Sequence, residues 1–364
     1  MIKYATSEKK MKIFFYISNI GGGGAARVMT ILANRFIKDE NEVIFAVNFK
    51  APNEYYLDSK VKRLFIEERE SQENVIKKNL HRIITLRNMI KEACPNVVIS
   101  FMQENDARAY IATRGLAVKL ILSVRNDPKR KFIRFPIKQI AKYIYTHCDG
   151  VVFQTGEAKE WFHNIKGVAG IIYNPVDERF FRTERASITK NIVTTGKFLE
   201  QKNHMLLIKA FQLIADEVPD NLIIYGDGKL RKNYEEYIQE SGLENRVYLP
   251  GYVVNVEEIL ASAKLFVMSS DYEGMPNSLM EAIAVGVPCI STDCPCGGPK
   301  ELLCDELSDN LVPCNNDREF SAKMLKLLKN NNSALSVMEK QRAEEYRVEN
   351  IYKQWQSLIE EIIC

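Results

Sequence analysis

Alternation between two kinds of segment restricts the fold more than any other feature of this 364-residue chain. Short runs rich in Val, Ile and Phe alternate with segments of helical periodicity almost from end to end. Such runs are typical of strands in parallel sheets, whose crossover connections are usually helices. The predicted strands are Lys12–Ile17, Glu42–Val47, Asn96–Phe101, Lys119–Val124, Gly150–Phe153 and Ala169–Ile172, then Asn191–Thr195, Asn221–Tyr225, Arg246–Leu249, Leu265–Met268, Pro288–Ser291 and Asn310–Val312. The alternation predicts an α/β protein with two doubly wound parallel sheets in tandem.

The length also favours two domains, because single cores stop growing at about 250 to 300 residues. We predict an N-terminal Rossmann-like domain over 1–176 and a C-terminal one over 191–347. The polar stretch 177–190 has no periodicity and is predicted to be the linker. Residues 348–364 are predicted to form an amphipathic helix, which needs a surface to cover.

The cysteines and the hydropathy indicate the compartment. Five of the eight cysteines fall between Cys289 and Cys314, but Cys294-Pro295-Cys296 lacks the two-residue gap of a zinc knuckle, and no histidine lies beyond His204. Reduced thiols and no metal are expected. No apolar run approaches the roughly 20 residues needed to cross a bilayer. We expect a cytoplasmic protein, peripheral on the inner face of the membrane, with no nucleic-acid partner.

Basic residues are concentrated in one segment of the first half, between Asp127 and Asp149. They are interleaved with apolar residues, a pattern that suits an anionic membrane surface, a phosphate-bearing acceptor or an ordinary solvated helix face. The predicted membrane contacts are Lys129, Arg130, Lys131, Arg134 and Lys138. Just before them, Arg125-Asn126 follows a strand and is assigned either to the acceptor side or to an exposed turn.

A glycine-rich loop, Gly21 to Gly24, follows the first predicted strand and precedes a helix. Backbone N–H groups of such a loop and the helix N-terminus suit a pyrophosphate or a sugar, although a flexible turn without a ligand is the alternative. The spacing is not the dinucleotide fingerprint, and the second strand does not end in an acid. A nicotinamide enzyme is therefore disfavoured.

One loop of the second half carries two candidate cations for a diphosphate, and a second loop is a tight turn that indicates little by itself. Lys197 and Lys202 lie between a strand and a helix that Asn203 is expected to cap, and Gly226-Asp227-Gly228 forms a tight turn after another strand. Two ammonium groups would stabilise a departing diphosphate, although loop lysines are usually only solvated.

Two glutamates flank the start of the next helix. Glu273 precedes Gly274-Met275-Pro276-Asn277, where Pro276 suits the first helical position, and Glu281 lies about a turn and a half further on. Free N–H groups of this loop would hold a hydroxyl-rich or anionic ligand beside Glu273, or Glu273 is only a helix-cap acid. Glu281 would need a hydroxyl partner if buried, or it is an exposed helix position.

Together these motifs resemble the retaining glycosyltransferases of family 4, which have the GT-B fold of two Rossmann-like domains facing across a cleft. They are Gly22-Gly23-Gly24, Gly196 with Lys202-Asn203, Gly226-Asp227-Gly228, and Glu273 with Glu281. Ser291 to Leu302 is similar to the branch that builds bacterial surface polysaccharides.

The resemblance implies a donor site in the C-terminal domain. Glu281 would bind the ribose and Lys197 and Lys202 the phosphates. Glu273 and the backbone of Gly274, Met275, Pro276 and Asn277 would bind the sugar. Tyr252 and Val253 would receive the base, while Gly196, Gly226, Asp227 and Gly228 would line the donor site. Gly22 and Gly23 would approach from the other domain, and the helix of residues 348–364 would cross back to the N-terminal domain. The implied catalytic residues are Glu273, Lys202 and Lys197.

The resemblance also implies a reaction. A sugar would pass with retention, without a metal or cofactor, from a UDP-sugar, either a UDP-N-acetylhexosamine or a UDP-hexose. The acceptor would be a lipid-linked saccharide of capsule, exopolysaccharide or lipopolysaccharide synthesis. Lys197 replaces the usual arginine and Ala26 a frequent glutamate. A nucleotide-sugar epimerase of the same fold and a non-catalytic nucleotide-sugar-binding assembly partner remain alternatives.

Overall fold

The chain folds around two parallel sheets, each the centre of its own unit. The computed structural model describes residues 10–70, 74–185 and 187–364. The first unit comprises the described residues up to Gln154, Ala158–Pro175 and Val348–Cys364. The second comprises Thr155–Glu157 and Val176–Arg347. The fold is therefore α/β with two Rossmann-like domains, as predicted.

Every strand pairs in parallel with its neighbours. The strands are β1 (Lys12–Ile17), β2 (Glu42–Val47), β3 (Lys62–Phe65), β4 (Val97–Phe101), β5 (Lys119–Val124), β6 (Gly150–Phe153), β7 (Val168–Ile171), β8 (Asn191–Thr195), β9 (Asn221–Tyr225), β10 (Val247–Gly251), β11 (Leu265–Met268), β12 (Cys289–Thr292) and β13 (Leu311–Val312). In the described residues the first sheet has the order β3-β2-β1-β4-β5-β6-β7 and the second β10-β9-β8-β11-β12-β13. Each order reverses direction beside the first strand of its sheet, where open α/β sheets bind ligands.

Helices connect these strands. They are α1 (Gly24–Lys38), α2 (Val75–Ala93), α3 (Gln103–Thr113), α4 (Pro128–Lys131), α5 (Ile137–His147), α6 (Gly156–Glu160), α7 (Glu178–Arg182), α8 (His204–Gln212), α9 (Arg231–Glu240), α10 (Val256–Ser262), α11 (Asn277–Val285), α12 (Gly298–Leu302), α13 (Asp317–Lys329), α14 (Ser333–Ala343) and α15 (Val348–Ile363). Short 3₁₀ helices span Glu200–Lys202, Asp305–Asn310 and Glu344–Tyr346. Among the described residues, no helix is long and apolar enough to cross a membrane.

The last helix completes the core of the first unit. Trp355 of α15 is fully buried, with its ring 5.7 Å from that of Phe101 at the end of β4. Tyr352 packs edge-on against Phe36 of α1 at 4.8 Å. The apolar face of α15 therefore packs on α1 and β4, which lie far from it in the sequence, and shields their apolar side chains from water.

Two local expectations were wrong. Strand β3 was not predicted, because its sequence Lys-Arg-Leu-Phe has no apolar run; it pairs only with β2 at the sheet edge and stays partly exposed. The stretch 177–190, predicted to be an irregular linker, contains helix α7, which Asp177 caps through the N–H of Arg179. Phe180 anchors this helix because its side chain is fully buried.

We expect Trp355→Ala to lower the free energy of unfolding of the first unit by about 3–5 kcal/mol, because it leaves a large cavity between α15 and β4. Gln354→Ala, at an exposed position of the same helix, should change it by less than about 0.5 kcal/mol. Hydrogen exchange of peptides from β1 and β4 measures the effect within this unit. Equal protection in the two variants would contradict the packing role of α15.

Candidate functional site

Glu273 is held by three donors at the carboxyl end of the second sheet. It lies in the loop between β11 and α11, and only 7% of the residue is exposed. Lys202 Nζ lies 2.5 Å and Ser270 Oγ 2.7 Å from its Oε1 atom, and Gln201 Nε2 lies 3.3 Å from its Oε2 atom. The carboxylate of Glu273 is thus held in one orientation by side-chain donors, which a solvated helix-cap acid would not require.

Backbone and side-chain hydrogen bonds join the loops after β8 and β11. The N–H of Asp271 donates to the carbonyl of Gln201 at 2.8 Å, and Ser269 Oγ donates to the carbonyls of Lys202 and Asn203, both at 2.9 Å. Asn203 caps α8 as predicted, by accepting from the N–H of Leu206, and its amide donates to Asp271 Oδ1 at 2.8 Å. These strands are neighbours in the sheet, so the two loops form one rigid edge.

Helix α11 begins one residue later than expected. Pro276 is its N-cap rather than its first residue, and α11 starts at Asn277. Glu281 is only 6% exposed, so the alternative of an exposed helix position is wrong. Its contact with a ligand hydroxyl stays a prediction.

The segment Cys294 to Gly298 packs against the Glu273 loop through backbone contacts. The N–H of Glu273 donates to the carbonyl of Pro295 at 2.8 Å, and the N–H of Cys296 donates to the carbonyl of Glu273 at 3.3 Å. A Cβ atom at Gly298 would overlap the carbonyl oxygen of Gly274, so glycine alone permits this approach. All eight cysteines are free thiols, and burial raises the pKa of Cys294 well above its ordinary value.

The glycines of the Gly-Asp-Gly turn have a comparable role. Gly226 has a φ of +141°, and a Cβ atom there would overlap the carbonyl oxygen of Gly196. The N–H of Phe198 donates to the carbonyl of Asp227 at 2.9 Å. The loops after the neighbouring strands β8 and β9 are therefore in backbone contact at the carboxyl edge of the sheet.

The lysines and the predicted base contacts lie around these loops. Lys197 is exposed, whereas the Lys202 side chain is only 22% exposed. Tyr252 follows β10 and is 69% exposed, with its hydroxyl 3.3 Å from the carbonyl of Asp227. The candidates of the second half thus gather at the carboxyl edge of one sheet.

The candidates of the first half lie in the other unit. Gly22 and Gly23 have positive φ angles and open space where a Cβ would lie. Arg125 Nη1 donates to Asn174 Oδ1 at 2.6 Å, and its guanidinium lies 3.7 Å from the Phe101 ring centroid. Burial lowers the pKa of Arg125 to about 9, partly opposed by Asp106. Its side chain is therefore packed, unlike that of an exposed turn.

Next to Arg125, Asn126 makes a local contact: its side-chain oxygen accepts from the N–H of Asp127 at 2.8 Å.

Sequence reasoning missed three side chains that build the site. Gln201 and Ser270 contact Glu273, and only their proximity to Lys202 and Glu273 in the sequence could have indicated them. His204 is 2% exposed and packs edge-on against Phe198 and Tyr234 at ring distances of 5.5 and 6.0 Å. Burial, with a contribution from nearby Lys202, lowers the pKa of His204 to about 3, so the ring is neutral.

Comparison with known proteins gives consistent matches. Residues 176–345 match the family model "Glycosyl transferases group 1", and residues 22–180 match "Glycosyltransferase Family 4". An uncharacterized glycosyltransferase of Methanocaldococcus jannaschii is 31% identical over 64% of this chain and 63% of its own length. The chain thus spans less than two thirds of that relative.

Two further matches span nearly the whole chain. The GalNAc-alpha-(1->4)-GalNAc-alpha-(1->3)-diNAcBac-PP-undecaprenol alpha-1,4-N-acetyl-D-galactosaminyltransferase of Campylobacter jejuni is 28% identical over 97% of this chain and 99% of its own. The pneumococcal O-GlcNAc transferase GtfA, solved with UDP and GlcNAc, superposes with a TM-score of 0.79 at 15% identity, covering 97% of this chain and 99% of that one.

We expect Gly226→Ala to destabilise the second unit by about 3 kcal/mol or more, because the methyl group adds overlap with Gly196 to the cost of the positive φ. Gly242→Ala is the matched control, since Gly242 has a φ of +67° and nothing within 4 Å of a Cβ. It should cost only about 1 kcal/mol. Urea unfolding measures the free energy of unfolding of both variants. Equal losses would show that the close approach of Gly226 to Gly196 does not destabilise the alanine variant.

We also expect His204→Phe to change the pH dependence of stability. As the pH falls from about 6.5 towards 3, the unfolded chain binds a proton at His204 that the folded protein does not, so the wild type loses stability. Phe cannot bind that proton. The free energy of unfolding of His204→Phe, relative to that of the wild type, should therefore rise by up to about 1.4 kcal/mol for each unit by which the pH falls in this range.

Urea unfolding at pH 7, 6 and 5 measures this difference. His163→Phe, at an exposed histidine, is the control for replacing an imidazole by a phenyl ring. A constant difference between His204→Phe and wild type would mean that His204 does not resist protonation in the folded state.

Proposed function

This chain belongs to the family 4, or group 1, glycosyltransferases, and we propose that it transfers a sugar with retention of configuration from a UDP-sugar to a lipid-linked saccharide. The observation that carries the proposal is the Lys202–Glu273 ion pair at the mouth of α11. It joins a cation suited to a diphosphate with a carboxylate suited to sugar hydroxyls on one rigid edge. A similar acceptor class is named for the Campylobacter jejuni relative.

The Glu273 carboxylate can accept a further hydrogen bond from a sugar. A carboxylate offers about four lone-pair sites, and the described donors occupy two on Oε1 and one on Oε2. The remaining site on Oε2 would accept a hydroxyl of the donor sugar. The backbone N–H groups of Gly274, Met275 and Asn277, in the loop that leads into α11, would bind the same sugar.

Lys197 and Lys202 would stabilise the leaving group. When the bond from the anomeric carbon to the diphosphate oxygen breaks, its electron pair remains on the diphosphate. Lys202 would lie beside the diphosphate, on the loop that its contact with Glu273 holds in place, and exposed Lys197 would close over the phosphates. The lysines supply the charge, and we propose that no metal is needed.

The remaining contacts would orient the nucleotide. Buried Glu281 would accept the ribose hydroxyls, and Tyr252 and Val253 would flank the base. Gly196, Gly226, Asp227 and Gly228 would line the diphosphate.

The acceptor would replace the diphosphate on the same face of the sugar. Its hydroxyl oxygen would bond to the anomeric carbon, and its proton would pass to an oxygen of the departing diphosphate. Glu273 would then act by position and charge and would not need to take a proton. On this scheme Glu273, Lys202 and Lys197 contact the substrate.

Arg125 and Asn126 would lie on the acceptor side, with Gly22 and Gly23 approaching the donor. We propose a UDP-N-acetylhexosamine donor, the sugar class in the name of the Campylobacter jejuni relative, and a role in envelope polysaccharide synthesis. We also propose a peripheral location on an anionic membrane, through Lys129, Arg130, Lys131, Arg134 and Lys138. All five side chains lie on exposed residues of and around α4 and α5.

Transfer to a water-soluble, short-chain prenyl diphosphate saccharide tests the reaction. We expect UDP and one UDP-sugar to raise Tm more than GDP-sugars do, and the product to have an α-anomeric proton. Activity should survive EDTA. Epimer formation without an acceptor, or donor binding with no transfer to any acceptor, would contradict the proposal.

We expect Glu273→Gln and Lys202→Met each to lower kcat by about 10²–10³-fold, because each removes an interaction with the reacting sugar or diphosphate. The double variant should lose little more than the worse single variant, because the two side chains form one ion pair. Exposed Glu306→Gln is the control and should keep full activity. Multiplicative losses in the double variant would show that the pair does not act as a unit.

A further inference from the structure

Helix α2 displays an apolar stripe to solvent. Ile76, Leu80 and Ile84 are 77%, 57% and 51% exposed. They follow one another at intervals of four residues and therefore lie on one helix face. The side chains that attach α2 to the unit, Leu86 and Ile90, are fully buried on a different face. The stripe is thus additional to the core contact of this helix.

The stripe is connected to the basic segment through α3. Helix α3 packs against both α2 and α5. Arg87 of α2 donates to the carbonyls of Ala112 and Arg114, at 2.9 and 2.7 Å. On the other side of α3, the Tyr110 ring lies 6.2 Å from that of Tyr143 on α5.

The region around α5 adds exposed apolar side chains of its own. Phe135 is 81% and Ile133 68% exposed, and Ile137, Ile140 and Tyr143 are about half exposed. Exposed apolar side chains are therefore clustered on α2, on α5 and in the segment just before α5.

Charge indicates what covers this surface. Lys77, Lys91 and Arg114 are exposed on α2 and at the end of α3, beside the basic residues around α4 and α5. The exposed acids of α2 and α3 are Glu92 and Glu104. If two copies of the chain met through this face, their positive charges would repel one another. An anionic bilayer would instead attract these positive charges.

We propose that α2 is a second membrane-binding element, whose Ile76, Leu80 and Ile84 insert into the acyl boundary of an anionic bilayer. The inference rests on the proposed peripheral location. It assigns the apolar part of binding to α2 and the electrostatic part to the segment Lys129 to Lys138. Apolar insertion resists salt, whereas surface charge is screened by it.

Sedimentation with vesicles of phosphatidylglycerol and phosphatidylcholine tests this division. The triple variant Ile76→Ser, Leu80→Ser, Ile84→Ser should bind at least tenfold more weakly, and its residual binding should disappear at 0.5 M salt. Leu213→Ser with Val337→Ser is the control, since these side chains of the second unit are 52% and 54% exposed. It should bind like wild type. Undiminished binding of the triple variant would overturn the proposal.

A conservative variant guards against misfolding of the triple variant. Leu80→Trp should show fluorescence quenched by lipids brominated on the acyl chain, and Leu213→Trp should show no quenching beyond that of wild type. Absence of extra quenching in Leu80→Trp would overturn the proposal. So would a wild-type dimer in lipid-free solution that the triple variant dissociates.

Transfer to the water-soluble acceptor separates this inference from the proposed function. The triple variant should keep wild-type activity in that assay and lose activity only with acceptor embedded in vesicles. A wild type that binds vesicles through α2 but transfers nothing would leave the membrane element standing and refute the reaction. Equal loss with both acceptors would assign α2 to folding or catalysis and overturn the membrane role.

Discussion

The ammonium group of Lys202 and the carboxylate of Glu273 meet at 2.5 Å where two loops of the second sheet converge. Their side chains are only 22% and 9% exposed. Exposed ion pairs are worth about 0–1 kcal/mol, whereas removing one partner of a buried pair costs about 3–5 kcal/mol. A pair enclosed to this degree therefore constrains the loops that carry it. Ser270 and Gln201 fix the carboxylate further, so its orientation does not depend on a ligand.

The rest of the second unit maintains that convergence. Strands β8 and β11 are neighbours in the sheet, so their carboxyl ends deliver the loops of Lys202 and Glu273 to the same place. Close backbone approaches at Gly226 and Gly298 leave no space for a side chain between adjoining loops. Neutral His204 fills the apolar space under the loop of Gly196 without adding a charge. Side-chain packing, backbone contacts and the ion pair thus all hold the loops around Lys202 and Glu273 in place.

Much of the fold could be predicted from the sequence, because fully buried parallel strands are continuous apolar runs. Strands β1, β2 and β5 begin and end where predicted. Strand β3 was not predicted, because an edge strand needs no apolar run. Helix α7 was not predicted either, because a helix of five residues depends on the tertiary burial of Phe180. The loops of the site were located by their motifs. Gln201 was not predicted as a donor to Glu273, since the two residues lie 72 positions apart and only the sheet order makes their loops neighbours.

By itself the sequence determined the strand and helix pattern, the glycine positions and the residue types available for a diphosphate and a sugar, because these depend on local periodicity and side-chain chemistry. Only the tertiary structure decided that Glu281 is buried, that Glu273 is bound to Lys202, and that α15 covers the first core. It also decided that the apolar stripe of α2 faces solvent. Periodicity shows that a helix has an apolar face, but burial depends on which other elements pack against it.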